Sequence, residues 1–321
     1  MTGYIARRIL SSIPVVVLVS MLAFLGQSLI PGDPILAVIG ADEAGALGDL
    51  GPEVLEQKRH ELGLDRPLPV QYLKYVERVV QGDFGKSFRT REPVAKTIGR
   101  RLSVSVKLNI ITFTVNTTLA IVLGTVAALY RGTFLDLLAT GWAVMGVATP
   151  GFWLAILLIV IFSVQLGWLP AAGWVDPFQD PVEGIRHLIL PVVSLGLFGS
   201  ATIMRQTRSA LLEVMRQDYI TTARSKGLAG RAVITRHALK NAMLPVMTVI
   251  GLSLAGLIGG SVLIERVFAI PGVGRLALDA TNSRDYPVIQ AIVLMAAGAI
   301  IVANLITDLM YAYLDPRIRY H

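Results

Sequence analysis

Long uncharged stretches alternate with charged segments along this 321-residue chain. Six windows contain no Asp, Glu, Lys or Arg, and their lengths are 22, 23, 39, 18, 24 and 22 residues. The windows are Ile9–Ile30, Leu108–Tyr130, Leu137–Val175, His187–Met204, Asn241–Ile264 and Tyr286–Thr307. Because a helix needs about 20 apolar residues to cross the ~30 Å hydrocarbon core, the pattern predicts an all-α, polytopic membrane protein.

The 39-residue window decides the number of spans. Pro150-Gly151 divides it, but the part before the proline, Leu137–Thr149, has only 13 residues and is too short to cross a bilayer. Proline removes a backbone hydrogen bond and clashes with the preceding turn. We therefore expect one long, tilted span kinked at Pro150, which makes six transmembrane helices with both termini on the same side.

The composition agrees with this division. Charged residues make up 16% of the chain, against roughly 25% in soluble domains, and the mean hydropathy is +0.63. The lack of cysteine excludes disulfide scaffolds and thiol catalysis. The first window, with 22 residues, exceeds the apolar region of a signal peptide, which is about 7–15 residues long, so we expect it to be retained as a span.

The distribution of Lys and Arg sets the orientation. With both termini in the cytoplasm, the inside segments sum to +8 and the outside segments to −1, and the loop Arg205–Lys240 alone contributes +6. Because short cytoplasmic loops carry the excess of basic residues, the pattern predicts an N-in, C-in topology. The same asymmetry accounts for the pI of about 9.8 and argues against a nucleic-acid partner.

Between spans 1 and 2 the topology places an extracytoplasmic insert, Pro31–Arg101. Helical patterns are present in Glu53–Leu62 and Pro69–Gln81. Three roles are open for the insert: it caps the pore, it contacts an extracytoplasmic partner, or it packs without a ligand role. Its sequence does not distinguish between them. Gly85-Lys86-Ser87 is similar to the end of a phosphate-binding loop, but Val80 stands where that loop needs glycine. We therefore expect no nucleotide site in this chain.

The cytoplasmic loop Arg205–Lys240 has more residues than a turn needs and fewer than an enzyme domain. Asp218 is a residue type that caps helices, and Gly227 can adopt the positive φ of a sharp turn. A second short helix, Arg231–Asn241, is expected to run into the next span, which has Leu244-Pro245 near its start. The pattern indicates a helix–turn–helix that docks on a partner, or else a solvated basic loop.

At this loop the sequence resembles the type I ABC-importer permeases, specifically the dipeptide/oligopeptide permeases of the DppB/OppB kind. The family loop reads Glu-Ala-Ala, three residues and Gly, with Leu-Pro further on; here Thr221-Thr222-Ala223, Gly227 and Leu244-Pro245 correspond. The Glu and the first Ala are replaced, as is common in the peptide subfamily. Other stretches similar to that subfamily are Tyr4–Arg8, Pro31–Pro34, Leu62–Pro67, Gly82–Phe88, Glu265–Phe268, Pro271–Gly274, Arg284–Pro287 and Asp315–Tyr320.

The resemblance implies a domain organisation and a coupling site. Residues 1–30 are the N-terminal segment with span 1, residues 31–101 the extracytoplasmic segment, residues 96–311 the type-1 (MetI-like) transmembrane core with its coupling loop 205–240, and residues 312–321 a cytoplasmic tail. The loop is expected to seat in a groove of an ATPase. The residues implied in coupling are Asp218, Tyr219, Thr221, Thr222, Ala223, Gly227, Leu244 and Pro245.

The resemblance also implies the partners. They are a second, homologous permease, two cytoplasmic ABC ATPases and an extracytoplasmic solute-binding protein, in the cytoplasmic membrane of a bacterium. The chain itself is then no enzyme and holds no cofactor, since ATP and Mg²⁺ are bound by the partner subunits. Peptide is the expected cargo, and glutathione or nickel complexes are the alternatives within this subfamily.

Polar residues inside the spans are candidates for the translocation path. Asn109, Thr112 and Asn116 share one face of span 2, and they either line a path or form interhelical hydrogen bonds. In span 5, Ser253 and Ser261 are path candidates. Gly251, Ala255 and Gly259 have the four-residue spacing that allows close helix packing, with hinge motion as the alternative reading.

The remaining ionisable residues have simpler interpretations. Lys107 and Asp308 lie near span ends, where we expect them to snorkel or pair, and Glu265 is expected to be solvated at the interface unless it serves gating. The four histidines are dispersed and offer no metal site. A secondary transporter or channel is the competing class of function, but it would need internal repeats or ionisable residues at mid-membrane, and we detect neither.

Overall fold

The computed structural model describes residues 2–29, 60 and 65–314 of the chain. Within these, side chains are described for residues 10–26, 60, 65–253 and 261–307. The predicted helix Glu53–Leu62 lies almost wholly outside the described residues, and so do the tail 315–321 and the side chains of Ala255, Gly259 and Asp308.

The regular structure of the described part is helical, apart from one isolated antiparallel pairing of Lys86 with Pro93. The helices are α1 (Thr2–Leu29), α2 (Leu68–Val80), α3 (Val94–Leu129), α4 (Phe134–Ala148), α5 (Gly151–Leu158), α6 (Pro181–Val214), α7 (Asp218–Ser225), α8 (Leu239–Val267), α9 (Val273–Asn282) and α10 (Tyr286–Leu314). A π-helical segment, Ile159–Gln165, follows α5. A single turn, Gly230–Ala232, and a second π-helical segment, Val233–Ala238, lead into α8. The expected all-α class is confirmed.

Within the described residues, three helical segments are long and apolar enough to cross a membrane: Val94–Leu129, Pro181–Val214 and Tyr286–Thr307. A broken pair, Phe134–Ala148 with Gly151–Gln165, makes a fourth if its two parts form one span. Leu10–Gly26 of α1 is a shorter apolar helix. These segments overlap five of the six uncharged windows, and the remaining window, Asn241–Ile264, lies within α8.

The chain breaks at Pro150, as its sequence predicts. Helix α4 ends at Ala148, α5 begins at Gly151, and Pro150 has the extended backbone of φ −62° and ψ 132°. The two helices are bent by 111°, which is far more than a kink in one tilted span. Proline disfavours the helical region for the residue before it, and Thr149 accordingly has φ −105° and ψ 121°.

The described chain divides into two compact units. The larger comprises Ser105–Pro271 and Ile300–His321, and α6 is its central helix because α3, α4 and α8 each pack against it. A Cβ on Gly124 of α3 would lie 2.6 Å from the Met204 carbonyl oxygen, and one on Gly146 of α4 would lie 2.7 Å from the Ala201 Cβ. Gly199 of α6 faces the Ser253 hydroxyl of α8.

The smaller unit comprises Met1–Val104 and Gly272–Ala299. Tyr72 and Tyr75 of α2 pack on Phe24 of α1, with ring centroids 5.6 and 5.8 Å away, and Ser20 and Tyr72 share a hydrogen bond of 2.7 Å. Burial raises the pKa of the Tyr75 hydroxyl to about 12. A second apolar cluster joins the first turns of α3 to α9 and the start of α10 through Val94, Ile98, Val273, Ala280, Val288, Ala291 and Ile292.

Candidate functional site

The basic loop between α6 and α8 forms the helix–turn–helix that the sequence predicts. Helix α7 begins at Asp218, but its N-cap is Gln217, which makes no capping hydrogen bond through its side chain. The expectation that Asp218 is the capping residue was therefore wrong. As the first residue of the helix, Asp218 instead places a carboxylate in the first turn, where the helix dipole favours negative charge.

The turn after α7 depends on glycine. Gly227 has φ +77°, a left-handed conformation that costs other residues roughly 1–2 kcal/mol. Its backbone N–H donates to the Arg224 carbonyl at 2.9 Å, and the Lys226 N–H donates to Thr222 at 3.0 Å, so the carbonyls at the end of α7 are satisfied. The predicted turn is confirmed, and the second helical segment starts one residue earlier than predicted, at Gly230.

Helix α7 has a buried face and an exposed face. Ile220 and Ala223 are 0% and 8% exposed, and they belong to the core cluster that contains Val233, Ala238 and Ala242. Ala223 therefore packs within this chain. The outer face of α7, by which we mean the exposed residues of this helix, consists of Asp218, Tyr219, Thr221, Thr222, Arg224 and Ser225.

One hydrogen bond ties α7 to the start of α8. The Asn241 amide donates to the Tyr219 hydroxyl at 2.9 Å, across 22 residues of sequence. Leu244 and Pro245 follow on the first turns of α8, and both are exposed. Helix α8 continues through Pro245. This hydrogen bond, with the apolar core that Ile220 and Ala223 share with Ala238 and Ala242, links α7 to the start of α8.

An ion pair that sequence reasoning missed lies close to the base of this loop. The Arg208 guanidinium of α6 donates through Nε and Nη2 to the two carboxylate oxygens of Asp136 on α4, at 2.7 and 2.9 Å. The Gly132 backbone N–H donates to the same carboxylate at 3.0 Å. The sequence shows only an acidic residue at the edge of a window and one basic residue among eight in the loop, so nothing local pairs them.

The three polar residues of span 2 have different surroundings. The Asn116 amide donates to the Val192 carbonyl of α6 and to the Thr112 carbonyl of its own helix, both at 3.0 Å. The amide fits there because Gly196 of α6 has no Cβ, which would otherwise clash with the Asn116 side chain. Asn116 therefore forms the interhelical hydrogen bond that was the alternative to a path. Among the residues that the structure describes, the Thr112 hydroxyl and the Asn109 side-chain oxygen are buried and find no hydrogen-bond partner.

The candidates in span 5 lie on α8. Ser253 is half-buried beside Gly199 of α6, and Ser261 is buried. Gly251 contacts the Thr307 side chain of α10, where an added Cβ would clash. This contact favours close packing at Gly251 over a hinge, at the one position of the small-residue pattern whose surroundings are described.

Lys107 near one end of the apolar part of α3 and Glu265 near the end of α8 are each held by a specific partner. Lys107 of α3 forms an ion pair with Asp176 and lies over the Phe178 ring, which confirms that this lysine pairs. The Lys107 ammonium, with the Phe178 backbone N–H, holds the pKa of Asp176 below its usual value. Glu265 is fully buried and accepts a 2.6 Å hydrogen bond from the Ser105 hydroxyl, so the expectation of interfacial solvation was wrong.

Two stretches of the family resemblance meet in the smaller unit. The Asp285 carboxylate accepts a hydrogen bond from the Ser87 hydroxyl and one of 3.0 Å from the Phe88 N–H, across nearly 200 residues. Ser87 and Asp285 are both buried. Gly85-Lys86-Ser87 therefore belongs to a structural loop anchored by Asp285. Among the described residues no group of three or more metal-ligating side chains is present.

Several apolar helices of membrane-spanning length, with a basic helix–turn–helix between two of the long helices, define a multi-pass membrane protein. Comparison with family models gives the particular family. Residues 120–320 match the model described as "binding-protein-dependent transport system inner membrane component", and residues 1–109 match the model of the N-terminal part of such components. The chain belongs to this family of inner-membrane ABC-importer permeases.

Curated relatives match over the whole chain. A peptide transport system permease protein of Brucella abortus (strain 2308) is 42% identical over 320 residues, covering 100% of both chains. A glutathione transport system permease protein of Salmonella paratyphi A is 41% identical over 320 residues, again with 100% of each chain covered. Among solved structures, the crystal structure of an amino acid ABC transporter with histidines matches 68% of this chain and 94% of its own, with a TM-score of 0.52 and 14% identity. That similarity concerns the fold.

Proposed function

We propose that this chain is the permease subunit of an ATP-driven importer of di- and oligopeptides and forms half of its transmembrane pathway. The family assignment and the full-length similarity to proteins named as peptide transport system permeases support the proposal. A second, homologous permease forms the other half, two cytoplasmic ATPases bind ATP and Mg²⁺, and an extracytoplasmic binding protein delivers the cargo. The chain itself carries no ATPase site.

The topology that fits this function has six spans, with both termini in the cytoplasm. The charge asymmetry of the loops supports it, because the +6 loop 205–240 then faces the ATPases. Helices α4 and α5 together count as one broken span in this arrangement. The core of the importer fold is residues 96–311, with 1–30, 31–101 and 312–321 as its N-terminal span, extracytoplasmic segment and tail.

The observation that carries the proposal is the two-faced helix α7. Ile220 and Ala223 fasten it to the core of this chain, while Tyr219, Thr221 and Thr222 face outward. A helix that is buried on one side by its own subunit, and exposed on the other, can be displaced by a partner and pass that displacement on. The outer face of α7 is therefore the surface that we assign to the ATPase, with Gly227 as the corner.

The mechanism follows from this mechanical link. When the two ATPases close on ATP, α7 moves with the subunit on which it is seated, and the Asn241–Tyr219 hydrogen bond carries the movement to α8. The two permeases then open outward, the binding protein releases its peptide into the cavity, and hydrolysis restores the inward-facing state. Asn109, Thr112, Ser253 and Ser261 are the side chains of this chain that we propose for the path, with Asn116 positioning α3 against α6.

Reversing one charge on the outer face of α7 tests the coupling. We expect Arg224→Glu to reduce ATPase co-purification and peptide uptake at least tenfold, since Arg224 is exposed beside the turn. Arg131→Glu is the matched control, because Arg131 is also an exposed arginine of a cytoplasmic loop in this topology. Equal uptake by the two variants, with equal amounts in the membrane, would contradict the assignment.

Glutathione is the second candidate cargo, because the relative from Salmonella is named a glutathione permease and is almost as similar as the peptide permeases. Glutathione is itself a tripeptide, so one pathway suits both. Affinity of the cognate binding protein for peptides of graded length, glutathione and a nickel complex decides between them. Preference for glutathione over all peptides would replace the peptide assignment and leave the permease assignment intact.

A further inference from the structure

Charge is unevenly divided within the segment between the first two spans. Residues 31–85 contain ten acidic and five basic residues, whereas residues 86–107 contain seven basic residues and one acidic residue. The near-neutral total of the segment conceals this contrast. A concentration of positive charge outside the membrane is unusual, because the positive-inside rule places basic residues in cytoplasmic loops.

The basic residues are brought together by the loop before α3. Lys86 pairs with Pro93, the Ser87 N–H donates to the Glu92 carbonyl at 2.9 Å, and the Arg91 N–H donates to the Ser87 carbonyl at 3.0 Å. The loop is therefore a compact turn that continues into the helix. Exposed along it are Lys86, Arg89, Arg91, Lys96 and Arg100, which we call the basic surface.

The one acidic residue in the sequence 86–107, Glu92, already pairs with neighbouring side chains. Glu92 accepts a hydrogen bond from the Thr97 hydroxyl at 3.2 Å and forms an ion pair with Arg100. The Thr97 hydroxyl, together with the Arg100 guanidinium, holds the pKa of Glu92 below its usual value. Lys86, Arg89 and Lys96 are exposed and form no ion pair with any residue that the structure describes, although the charge of Lys96 does interact with the Glu92 carboxylate.

Buried residues also anchor this loop. Asp285 is buried and accepts hydrogen bonds from the Ser87 hydroxyl and the Phe88 N–H. Phe84 packs against the apolar cluster of Val94 and Ile98. A preorganised surface loses less conformational entropy on binding than a flexible one, and this anchoring is a feature of a binding surface.

The distance between the basic surface and the membrane distinguishes a lipid partner from a protein partner. Lys96 precedes Leu108, the first residue of the apolar window, by 12 residues along α3, which is about 18 Å at the helical rise of ~1.5 Å per residue. The headgroup layer extends only about 5–8 Å beyond the hydrocarbon core. The pairing of Lys86 with Pro93 holds Lys86 beside the start of α3 at Val94, further from Leu108 along the helix than Lys96 is. We therefore favour an acidic protein surface as the partner.

We propose that the basic surface docks the extracytoplasmic solute-binding protein through carboxylates on that protein. This inference rests on the proposed function, which supplies both the orientation and the partner. Charged contacts of this kind chiefly accelerate encounter and fix orientation. They are also screened by salt, with a Debye length of about 10 Å at 0.1 M ionic strength.

The test uses the complete importer in nanodiscs and its cognate, peptide-loaded binding protein as the probe. For Arg89→Glu/Lys96→Glu we expect at least a tenfold rise in the binding-protein concentration that half-stimulates ATP hydrolysis, with an unchanged maximal rate. The effect should shrink below threefold at 0.5 M salt. Lys74→Glu/Arg78→Glu is the matched control, since it reverses two exposed charges on α2 in the same unit, and we expect less than a threefold rise.

Three results would overturn the proposal. Equal shifts in both double variants would mean a general charge effect rather than docking. A dependence on the phosphatidylglycerol content of the nanodisc, with no difference between variants, would assign the surface to lipid. Loss of thermal stability without a shift would mean that the acidic residues of segment 31–59 compensate the surface. Failure of the binding protein to stimulate even the unaltered importer would contradict the proposed function instead.

Discussion

Asp136 of α4 and Arg208 of α6 form a two-pronged ion pair within the larger unit. Their two parallel hydrogen bonds have the fork geometry that makes arginine–carboxylate pairs strong. The side chains are 11% and 27% exposed, whereas those of the Glu183–Arg186 pair are 40% and 48% exposed. The same two chemical groups should therefore contribute differently to stability, because solvent screens the second pair.

Arg208→Gln is expected to destabilise the purified chain by about 2 kcal/mol, since it leaves a largely buried carboxylate without its partner. Arg186→Gln is expected to change stability by less than ~1 kcal/mol, as exposed pairs do. Thermal unfolding in detergent measures both variants. Similar melting temperatures for the two would show that the Asp136–Arg208 pair is no more than a surface contact.

Helix α6 owes its central position to small residues on its neighbours. Gly146 lets α4 approach so closely that an added Cβ would lie 2.7 Å from Ala201 and 2.9 Å from the Leu197 carbonyl. Gly141, one and a half turns earlier in α4, has open space where its Cβ would be. Two glycines of one helix thus differ in their packing, although the sequence does not distinguish them.

Gly146→Leu should push α4 away from α6 and destabilise the larger unit by about 1–3 kcal/mol, the usual cost of overpacking. Gly141→Leu is the control on the same helix and is expected to be tolerated. The amount of folded protein after detergent extraction, with melting temperature, compares the two. An equally stable Gly146→Leu variant would mean that α4 does not pack against α6 as described.

The smaller unit is assembled from distant parts of the chain, and Asp285 forms hydrogen bonds that connect two of these parts. Its carboxylate orders the loop 85–93 through Ser87 and Phe88. Alanine in its place removes both acceptors, whereas asparagine keeps one and can donate an N–H to the Ser87 hydroxyl. We expect Asp285→Ala to expose the loop to trypsin, with faster cleavage after Arg89, while Asp279→Ala on α9 leaves the rate unchanged. Equal rates in both variants would contradict the anchoring role of Asp285.

Much of the molecule was predictable because the relevant signals are local. Uncharged windows of about 20 residues predict span-length helices, Pro150 predicts a helix break, and Gly227 predicts a turn. Each of these predictions depends on only a few neighbouring residues. The helix–turn–helix of loop 205–240 was predictable in the same way, from its length and its glycine. Its inner and outer faces were not, since the burial of Ala223 depends on Val233 and Ala238 folding back against it.

By itself, then, the sequence determined a helical membrane chain, the position of its basic loop along that chain and its family resemblance. Only the tertiary structure decided that the chain bends by 111° at Pro150, that Asp136 pairs with Arg208 and that Asp285 holds Ser87. Backbone preferences and hydrophobic length act over a few turns of chain. Pairings between residues 72 and 198 positions apart exist only after packing has brought their helices together.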